Sequence, residues 1–219
     1  YAVTTGSLPT GIALSSNGTL TGTSTQIADS NFAVTTTDSN GCTANFNYTL
    51  KLSQIPITVT ANTVTKVYGD ADPSLTYTVV PSLEVGDSFT GDLVRAAGDN
   101  VGTYAISAGT LSAGAKYVMT YLPNNLTITA KAITVTAAAK TKVYGTVDPS
   151  LTYVVSPSLE TGDSFTGSLT RATGENVGAY GITSTLSNTN YAITYVPADL
   201  TITAKAITVT AAAKTKVYG

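Results

Sequence analysis

The sequence predicts an all-β protein made of small antiparallel β-sandwich modules arranged end to end. Threonine occurs 42 times and only 11% of the 219 residues are charged, a composition that favours strands over helices. Apolar and polar residues alternate in short runs between turn signals, which is the pattern of half-buried strands. A long segment of the sequence is also repeated, and repetition of this kind indicates tandem structural units.

The repeat has spacings of 76 and 74 residues. Residues 131–145 and 205–219 have the same fifteen letters, KAITVTAAAKTKVYG, and residues 55–69 are a diverged copy. Residues 55–108 are identical to residues 131–184 at 36 of 54 positions. A fixed period predicts that each copy is one supersecondary unit and that neighbouring copies stack.

These spacings predict four segments. Residues 1–54 do not match the repeat and form a partial β module, which we expect to lack its opening strand. Residues 55–130 and 131–204 are two whole repeats, and residues 205–219 are the first strand of a further, truncated repeat. A lone strand cannot bury its apolar face, so we expect a longer parent protein in which more repeats follow.

Within a repeat, the strands are predicted from alternation. Ile57 and Val59 face one way while Thr58 and Thr60 face the other, and no run of ten or more residues has an uninterrupted helical period. We therefore predict no helix longer than a single turn. Two further strands have the same alternation, at Leu75, Tyr77 and Val79 and at Leu126 and Ile128.

Turn signals separate the strands. In the N-terminal segment, Asn17-Gly18 and Ser39-Asn40-Gly41 predict two β-hairpins. Between the repeats, by contrast, Ala130 is followed directly by Lys131 with no run of Gly, Pro or Ser. Flexible linkers need several such residues, so we expect successive repeats to form a semi-rigid rod.

Charge and cysteine content exclude several classes of function. The net charge is −2 with no run of Lys or Arg, which argues against binding to nucleic acid or to an anionic membrane. No apolar run is long enough to span a bilayer, and we expect any export signal to lie outside these residues. Cys42 is the single cysteine and histidine is absent, so a disulfide within the chain, a cysteine–histidine nucleophile and a zinc site are excluded. We predict Cys42 to be a small buried apolar residue.

Two carboxylates are candidates for acid–base catalysis. Asp87 and Asp92 lie five residues apart around a Gly-containing turn, and acid–base catalysis needs two such groups facing each other in a pocket. The second repeat keeps Asp163 but has Ser168 at the position of Asp92. We therefore predict no catalytic residue and a protein that is not an enzyme.

Loop aspartates are candidate calcium ligands, because calcium takes oxygen ligands from turns. Asp70, Asp72 and Asp99 lie in such loops, yet Thr146 replaces Asp70 and Glu175 replaces Asp99 in the second repeat. Turn-forming side chains explain these positions better. We expect the fold to need no metal and no cofactor.

Basic residues recur at matched positions. Arg95 and Arg171 are equivalent, and we interpret each as pairing a loop carboxylate and covering the sandwich edge, with a ligand-binding arginine as the alternative. Lys140 and Lys142 are predicted to protect an edge strand from pairing with other molecules.

Tyrosines also recur, and two interpretations are open. They could form a platform for a sugar, although the absence of Trp weakens that interpretation. Their period favours core and corner residues whose hydroxyls bond to the backbone. The equivalent pairs are Tyr68 and Tyr144, Tyr77 and Tyr153, Tyr104 and Tyr180, Tyr117 and Tyr191, and Tyr121 and Tyr195.

The motif order in residues 55–219, VYG…DPSLTY…GDSFTG…NVG…LTITA, resembles the MBG domain of the YGX type, a β-rich repeat of large bacterial surface proteins. Residues 1–54, with GSLPTGIALSSNGTLTGT and FAVTTTDSNGCTANFNYTLKL, are similar to the Ig-like (cadherin-like) modules that accompany such repeats. The resemblance therefore implies Ig-like sandwich modules.

This pairing of modules is similar to the giant repetitive adhesins of gliding bacteria, the SprB type, which the type IX secretion system exports to the cell surface. The resemblance implies a structural stalk of a secreted adhesin that extends a distal binding region for surface attachment and gliding motility. Its partners would be neighbouring repeats of the same chain, components of the secretion or motility machinery, and surface glycans.

A second hypothesis stays open at this point. Each repeat could be a glycan- or protein-binding module with a weak site, and tandem copies would then supply avidity. The near identity of the two repeats fits both hypotheses, and binding of the chain to a glycan array would distinguish them.

Overall fold

The computed structural model describes residues 1–24 and 26–219, and every regular element in them is a β-strand. The predicted all-β class is confirmed. None of the described residues forms a helix long and apolar enough to cross a lipid bilayer.

The N-terminal segment forms a three-stranded antiparallel sheet and a hairpin. The sheet has the order β1-β4-β5, and β2 pairs with β3. The turns fall at Asn17-Gly18 and at Asn40-Gly41, so both predicted hairpins are confirmed. The strands are β1 (Ala2–Gly6), β2 (Ile12–Leu14), β3 (Leu20–Gly22), β4 (Ser30–Thr37) and β5 (Thr43–Leu50).

The first repeat contributes a three-stranded sheet of order β11-β6-β8 and a four-stranded sheet of order β7-β12-β10-β9. In β6 the side chains of Ile57, Val59 and Ala61 are buried while those of Thr58 and Thr60 are half-buried, which matches the predicted alternation. The strands are β6 (Ile55–Ala61), β7 (Val64–Val67), β8 (Tyr77–Val80), β9 (Val94–Arg95), β10 (Gly102–Ser107), β11 (Tyr117–Leu122) and β12 (Asn124–Thr129).

The second repeat has the same strand order in its two sheets, β18-β13-β15 and β14-β19-β17-β16. The equal topology follows from the 36 identities shared by the two copies. The strands are β13 (Lys131–Ala137), β14 (Lys140–Val143), β15 (Tyr153–Ser156), β16 (Leu169–Arg171), β17 (Gly178–Ser184), β18 (Tyr191–Val196) and β19 (Asp199–Thr203).

The sheets of the repeats are mixed, so the expectation of purely antiparallel sheets is wrong in this respect. β6 runs parallel to β11, with Ile55 opposite Tyr117, and β13 runs parallel to β18, with Lys131 opposite Tyr191. Parallel neighbours need a crossover connection. In each repeat the chain makes this crossover by passing through the other sheet before it returns beside its first strand.

Contacts within the chain define two compact units, each of which has a core. The core of the first includes Ile57, Val59 and Ile106, and the core of the second includes Val135, Leu200 and Ile202. The first unit consists of residues 1–65, 72–98 and 103–127, and the second consists of residues 66–71, 99–102 and 128–219.

The second unit therefore combines the second repeat with three short segments that belong, by sequence, to the first repeat, namely residues 66–71, 99–102 and 128–130. The segmentation of the chain at 54/55, 130/131 and 204/205 stays a prediction. Residues 205–219 are exposed and are not part of a strand.

Cys42 is exposed, so its predicted burial is wrong. It lies in the turn between β4 and β5, where the Asp38 carboxylate accepts hydrogen bonds from the backbone N–H groups of Asn40 and Cys42 at 2.8 and 2.9 Å. An aspartate that bonds to backbone N–H groups two and four residues ahead closes a turn on the surface, and the cysteine side chain is left in solvent.

Candidate functional site

A cluster of two cations and two carboxylates connects strands β14 and β16 of the second repeat to the loops that follow them. Arg171 Nε donates to Asp148 Oδ2 at 2.6 Å, and Arg171 Nη2 donates to Glu175 Oε1 at 2.5 Å. Lys142 Nζ donates to the other oxygen of each carboxylate, at 2.5 Å to Asp148 Oδ1 and 2.6 Å to Glu175 Oε2. The charges of the four groups compensate one another, so the cluster is a structural clamp.

The arginine of the first repeat is used in the same way. Arg95 Nε donates to Asp72 Oδ2 at 2.6 Å. The Arg95 guanidinium lies 5.4 Å from the centre of the Tyr104 ring, and Arg171 lies at the same distance from Tyr180. The interpretation of both arginines as partners of loop carboxylates is confirmed, and the contact with the ring adds a cation–π interaction.

Lys142 was predicted to guard an edge strand, and that prediction is wrong. The strand β14 does lie at the edge of its sheet, but the Lys142 side chain is only 4% exposed. A lysine that is almost fully buried must be paired with carboxylates. Lys142 is therefore part of the ion cluster and does not serve to prevent pairing at the edge strand.

The ion cluster predicts a pH dependence of stability. Hydrogen bonds from Arg171, and then from Lys142, lower the pKa of Asp148 to about 2. An unfolded aspartate has a pKa of about 3.9, so the stabilisation by Asp148 is complete above that pH and is lost as the pH falls through about 2. We expect the urea midpoint of the chain to fall between pH 4 and pH 2, and to fall less steeply in Asp148→Asn.

Arg171→Gln is the matched variant for this prediction, because Arg171 is the largest cause of the lowered pKa. It should raise the pKa of Asp148, measured by NMR of the carboxyl carbon, towards the unfolded value. If Arg171→Gln leaves that pKa at about 2, the cluster does not act as described.

A second cluster surrounds the Tyr191 hydroxyl. Tyr191 Oη accepts a hydrogen bond from the Glu160 backbone N–H at 2.8 Å and donates to Asp163 Oδ2 at 2.5 Å. The Glu160 carboxylate is bonded to Lys131 Nζ. Burial of the ring, and then the hydrogen bond to Asp163, raises the pKa of Tyr191 to about 12. These bonds connect the loop after β15 to the start of β18.

Tyr68, from the sequence of the first repeat, joins this cluster within the second compact unit. Its hydroxyl donates to the same Asp163 Oδ2 at 2.9 Å. Its ring meets the Tyr191 ring edge to face, with 5.5 Å between centroids, a favoured aromatic geometry. The hydrogen bond to Asp163, and then burial, raises the pKa of Tyr68. Tyr68 thus links a loop of the first repeat to a carboxylate of the second.

Asn190 makes a second link of this kind. Asn190 Nδ2 donates to Asn100 Oδ1 at 2.9 Å, and Asn190 Oδ1 accepts from the Val101 backbone N–H at 3.0 Å. Asn190 is one of the two buried polar or charged residues among those the structure describes. Its amide uses a donor and an acceptor on the loop of residues 99–102, so it recognises the backbone and side chain of that loop together.

The equivalent cluster of the first repeat contains a lysine instead of these links. Tyr117 Oη donates to Asp87 Oδ2 at 2.5 Å and accepts from the Glu84 N–H at 2.9 Å. Lys116, which stands at the position of Asn190, donates to Asp87 Oδ2 at 2.9 Å and to Glu84 Oε2 at 2.8 Å. The Lys116 ammonium therefore occupies on Asp87 the place that the Tyr68 hydroxyl occupies on Asp163.

Five of the other tyrosines divide into two groups. Tyr121, Tyr195 and Tyr180 donate to backbone oxygens at 3.0, 2.8 and 2.8 Å, as expected for corner tyrosines. Tyr144 and Tyr153 are 47% and 39% exposed, which departs from the expected core positions. The hydroxyls of Tyr68, Tyr117 and Tyr191, like those of the three corner tyrosines, are bonded within the protein, which does not favour a sugar platform.

The residues considered for catalysis and metal binding take part in structural contacts. The Asp87 carboxylate is occupied by Tyr117 and Lys116, while the Asp92 backbone bonds to Thr110. Asp70 accepts a bond from Lys66 Nζ through its backbone oxygen. In the described part of the chain, no group of three or more Cys, Asp or Glu side chains could hold a metal ion.

A surface depression in the second unit has a lining of hydroxyl, amide and apolar side chains, among them Ser164, Thr166, Asn188 and Ile193. Tyr191 also borders it, but no carboxylate or amine does. General acid–base catalysis requires a group that exchanges protons near the operating pH, and this depression presents none.

These observations define the chain as a tandem β-sandwich repeat protein with clusters that join loops. Residues 57–127 and 133–201 match the family described as MBG domain (YGX type), and residues 1–53 match the family described as "Putative Ig domain". The MBG matches cover more than half of the chain, and the chain belongs to the MBG domain family of the YGX type. A search of curated proteins finds no match to the chain.

MBG and Ig-like domains are families of non-catalytic structural modules, and both are typical of extracellular proteins. The resemblance to these two families that the motifs indicate is thus confirmed.

The links made by Tyr68 and Asn190 were not predicted from the sequence. A signal was present, because Lys116 and Asn190 differ in charge at a position where the flanking residues correspond. Likewise, Lys131 replaces Ile55 and supplies Glu160 with a cation where Lys116 supplies Glu84 in the first repeat. Such paired differences between near-identical repeats indicate positions whose surroundings differ.

Proposed function

We propose that the chain is a stalk segment of a long, secreted cell-surface adhesin, in which tandem repeats extend a distal binding region for surface attachment. Membership of the MBG family and the Ig-like module support this proposal. The proposed partners are neighbouring repeats of the same chain, and the proposed location is the outer cell surface.

The observation that carries the stalk proposal is the junction between the repeats. β12 ends at Thr129 and β13 begins at Lys131, so Ala130 alone separates the two strands. One residue between two hydrogen-bonded strands leaves few dihedral angles free, whereas flexible linkers contain several Gly or Ser residues. Since Leu200–Ile207 repeats the letters of this junction, each step of the array is proposed to be equally short.

Resemblance to adhesins of gliding bacteria supports a more specific role in surface attachment during gliding, with export by the type IX system. No catalytic role is proposed, because the carboxylates, cations and tyrosine hydroxyls described above bond to one another or to the backbone.

Small-angle X-ray scattering of chains with increasing numbers of whole repeats tests the stalk. Doubling the number of repeats should nearly double the maximum dimension, because a semi-rigid array grows in proportion to its number of units. A flexible chain would grow about 1.4-fold, as the square root of the number of segments. Growth near 1.4-fold would rule out the stalk.

A further inference from the structure

We propose that the surface formed by Tyr144, Asn176 and Val177 on the second repeat docks a further copy of the same repeat. The occupant would present its equivalents of Asp163, Asn190 and Tyr191. The inference rests on the proposed function, since it supplies the contact that would join successive repeats of the stalk.

The same contact is already present in the second compact unit. Tyr68, Asn100 and Val101 are the equivalents of Tyr144, Asn176 and Val177, at a constant offset of 76 residues. Tyr68 bonds to Asp163 at 2.9 Å, and Asn100 and Val101 bond to Asn190 at 2.9 and 3.0 Å. The existing contact therefore shows what the occupant must present. It needs a carboxylate that accepts from the tyrosine hydroxyl and a primary amide that bonds to the asparagine loop.

The backbone holds Tyr144 in the same way as it holds Tyr68. The Tyr68 N–H donates to Thr129 O at 2.9 Å, and the Tyr144 N–H donates to Thr203 O at 2.8 Å. Tyr180 Oη donates to Asn176 O at 2.8 Å and so fixes the second loop. The surface is preorganised, which lowers the cost of ordering it on docking.

The surface around Tyr144 is also more exposed than its equivalent around Tyr68. Val177 is 58% exposed against 38% for Val101, and Tyr144 is 47% exposed while Tyr68 is half-buried. A Cβ atom added at Gly69 would collide with the Glu160 side chain, whereas one added at the equivalent Gly145 would meet no atom within 4 Å. The surface around Tyr68 and Gly69 is thus closely packed, whereas the equivalent surface around Tyr144 and Gly145 is exposed among the described residues.

The residue that precedes Tyr191, or the equivalent Tyr117, decides which face can be the occupant. Asn190 leaves Asp163 free to accept the Tyr68 hydroxyl, whereas Lys116 bonds to Asp87 itself and fills that place. A face with lysine at this position is closed to a preceding repeat, and a face with asparagine is open. The first repeat, which follows the Ig-like module in sequence, has the closed form.

The sequence supplies the start of such an occupant, because residues 205–219 repeat residues 131–145 letter for letter. The experiment compares the 219-residue chain with the same chain continued after Gly219 by a second copy of residues 146–204. Hydroxyl-radical footprinting, read by mass spectrometry, measures the exposure of each tyrosine ring in both chains without any substitution.

We expect the reactivity of Tyr144 to fall several-fold in the extended chain, to the level of Tyr68, while Tyr68 is unchanged. Tyr144→Phe should lower the melting temperature of the extended chain by a few degrees and leave that of the 219-residue chain unchanged. The Asn190→Lys change, made in the added copy alone, should restore the reactivity of Tyr144.

Equal reactivity of Tyr144 in the two chains would overturn the proposal, as would protection that survives the lysine change. Scattering from the same two chains separates this failure from failure of the stalk. A proportional increase in maximum dimension with an unprotected Tyr144 means a rod joined by other contacts. Protection of Tyr144 with a flexible-chain dimension would instead overturn the stalk and leave the docking contact in place.

Discussion

Replacing Leu200 by alanine is expected to lower the free energy of unfolding of the second compact unit by about 3 kcal/mol. The Leu200 side chain is fully buried, and β19 lies between β14 and β17 in its sheet. Truncation of a buried leucine removes the transfer free energy of the lost atoms and leaves a cavity, at a cost of roughly 2–5 kcal/mol. Urea unfolding, resolved by segment with hydrogen exchange, measures the loss and locates it.

Two control variants test whether the loss depends on burial and on the unit in which the residue lies. Val154→Ala also removes apolar atoms, but Val154 is 67% exposed, so its effect should stay within about 0.5 kcal/mol. Leu126→Ala is the equivalent core change in the first unit, where Leu126 is likewise fully buried. We expect its loss of protection to be centred on the first unit. Equal losses for Leu200 and Val154 would mean that the core is not where the structure places it.

Gly174→Ala is expected to destabilise the second unit by about 3 kcal/mol. Gly174 has φ of +145°, and an added Cβ atom would overlap the ring of Tyr180. The ring is not free to move, because its hydroxyl donates to Asn176 O at 2.8 Å and the Arg171 guanidinium lies over its face. Backbone strain costs roughly 1–3 kcal/mol, and forcing extra volume into a packed site costs a similar amount.

The matched control is Gly162→Ala. Gly162 also has a positive φ, +93°, but a Cβ atom there would meet no atom within 4 Å. It therefore carries only the cost of backbone strain, about 1 kcal/mol. Chemical denaturation of both variants separates strain from overlap. If the two losses are equal, the Tyr180 ring does not pack against Gly174 in the manner described.

Much of the fold follows from local patterns that any single strand displays. Ile57, Val59 and Thr58 alternate with a period of two, and a period of two directly gives the two faces of a strand. Asn17-Gly18 has the turn preference of a tight hairpin. The partner of a strand cannot be predicted in this way, because nothing in the sequence of β6 indicates that it pairs in parallel with β11. That choice is made by the route of the whole chain.

The candidate site also contains some contacts that could be predicted from the sequence and others that could not. Arg95 and Asp72 could be expected to pair, because an arginine near a loop aspartate gains from a charge-assisted hydrogen bond. Burial of Lys142 could not be expected from composition, since lysine is almost never fully buried without partners. Its partners, Asp148 and Glu175, lie 6 and 33 residues away. Asn190 is similar, since its two partners come from a loop about 90 residues earlier in the sequence.

The parallel pairing of β14 with β19 has a mechanical consequence. A pulling force that reaches β14 at Lys140 and leaves β19 at Thr203 draws these two strands in opposite directions along their length. Their four opposed residue pairs, from Lys140 with Leu200 to Val143 with Thr203, are then sheared together, because the hydrogen bonds of a parallel pair lie across the direction of pull. An antiparallel hairpin pulled at its open end separates one pair at a time. In the proposed stalk, a load that reaches β14 and β19 would therefore be shared by all four residue pairs.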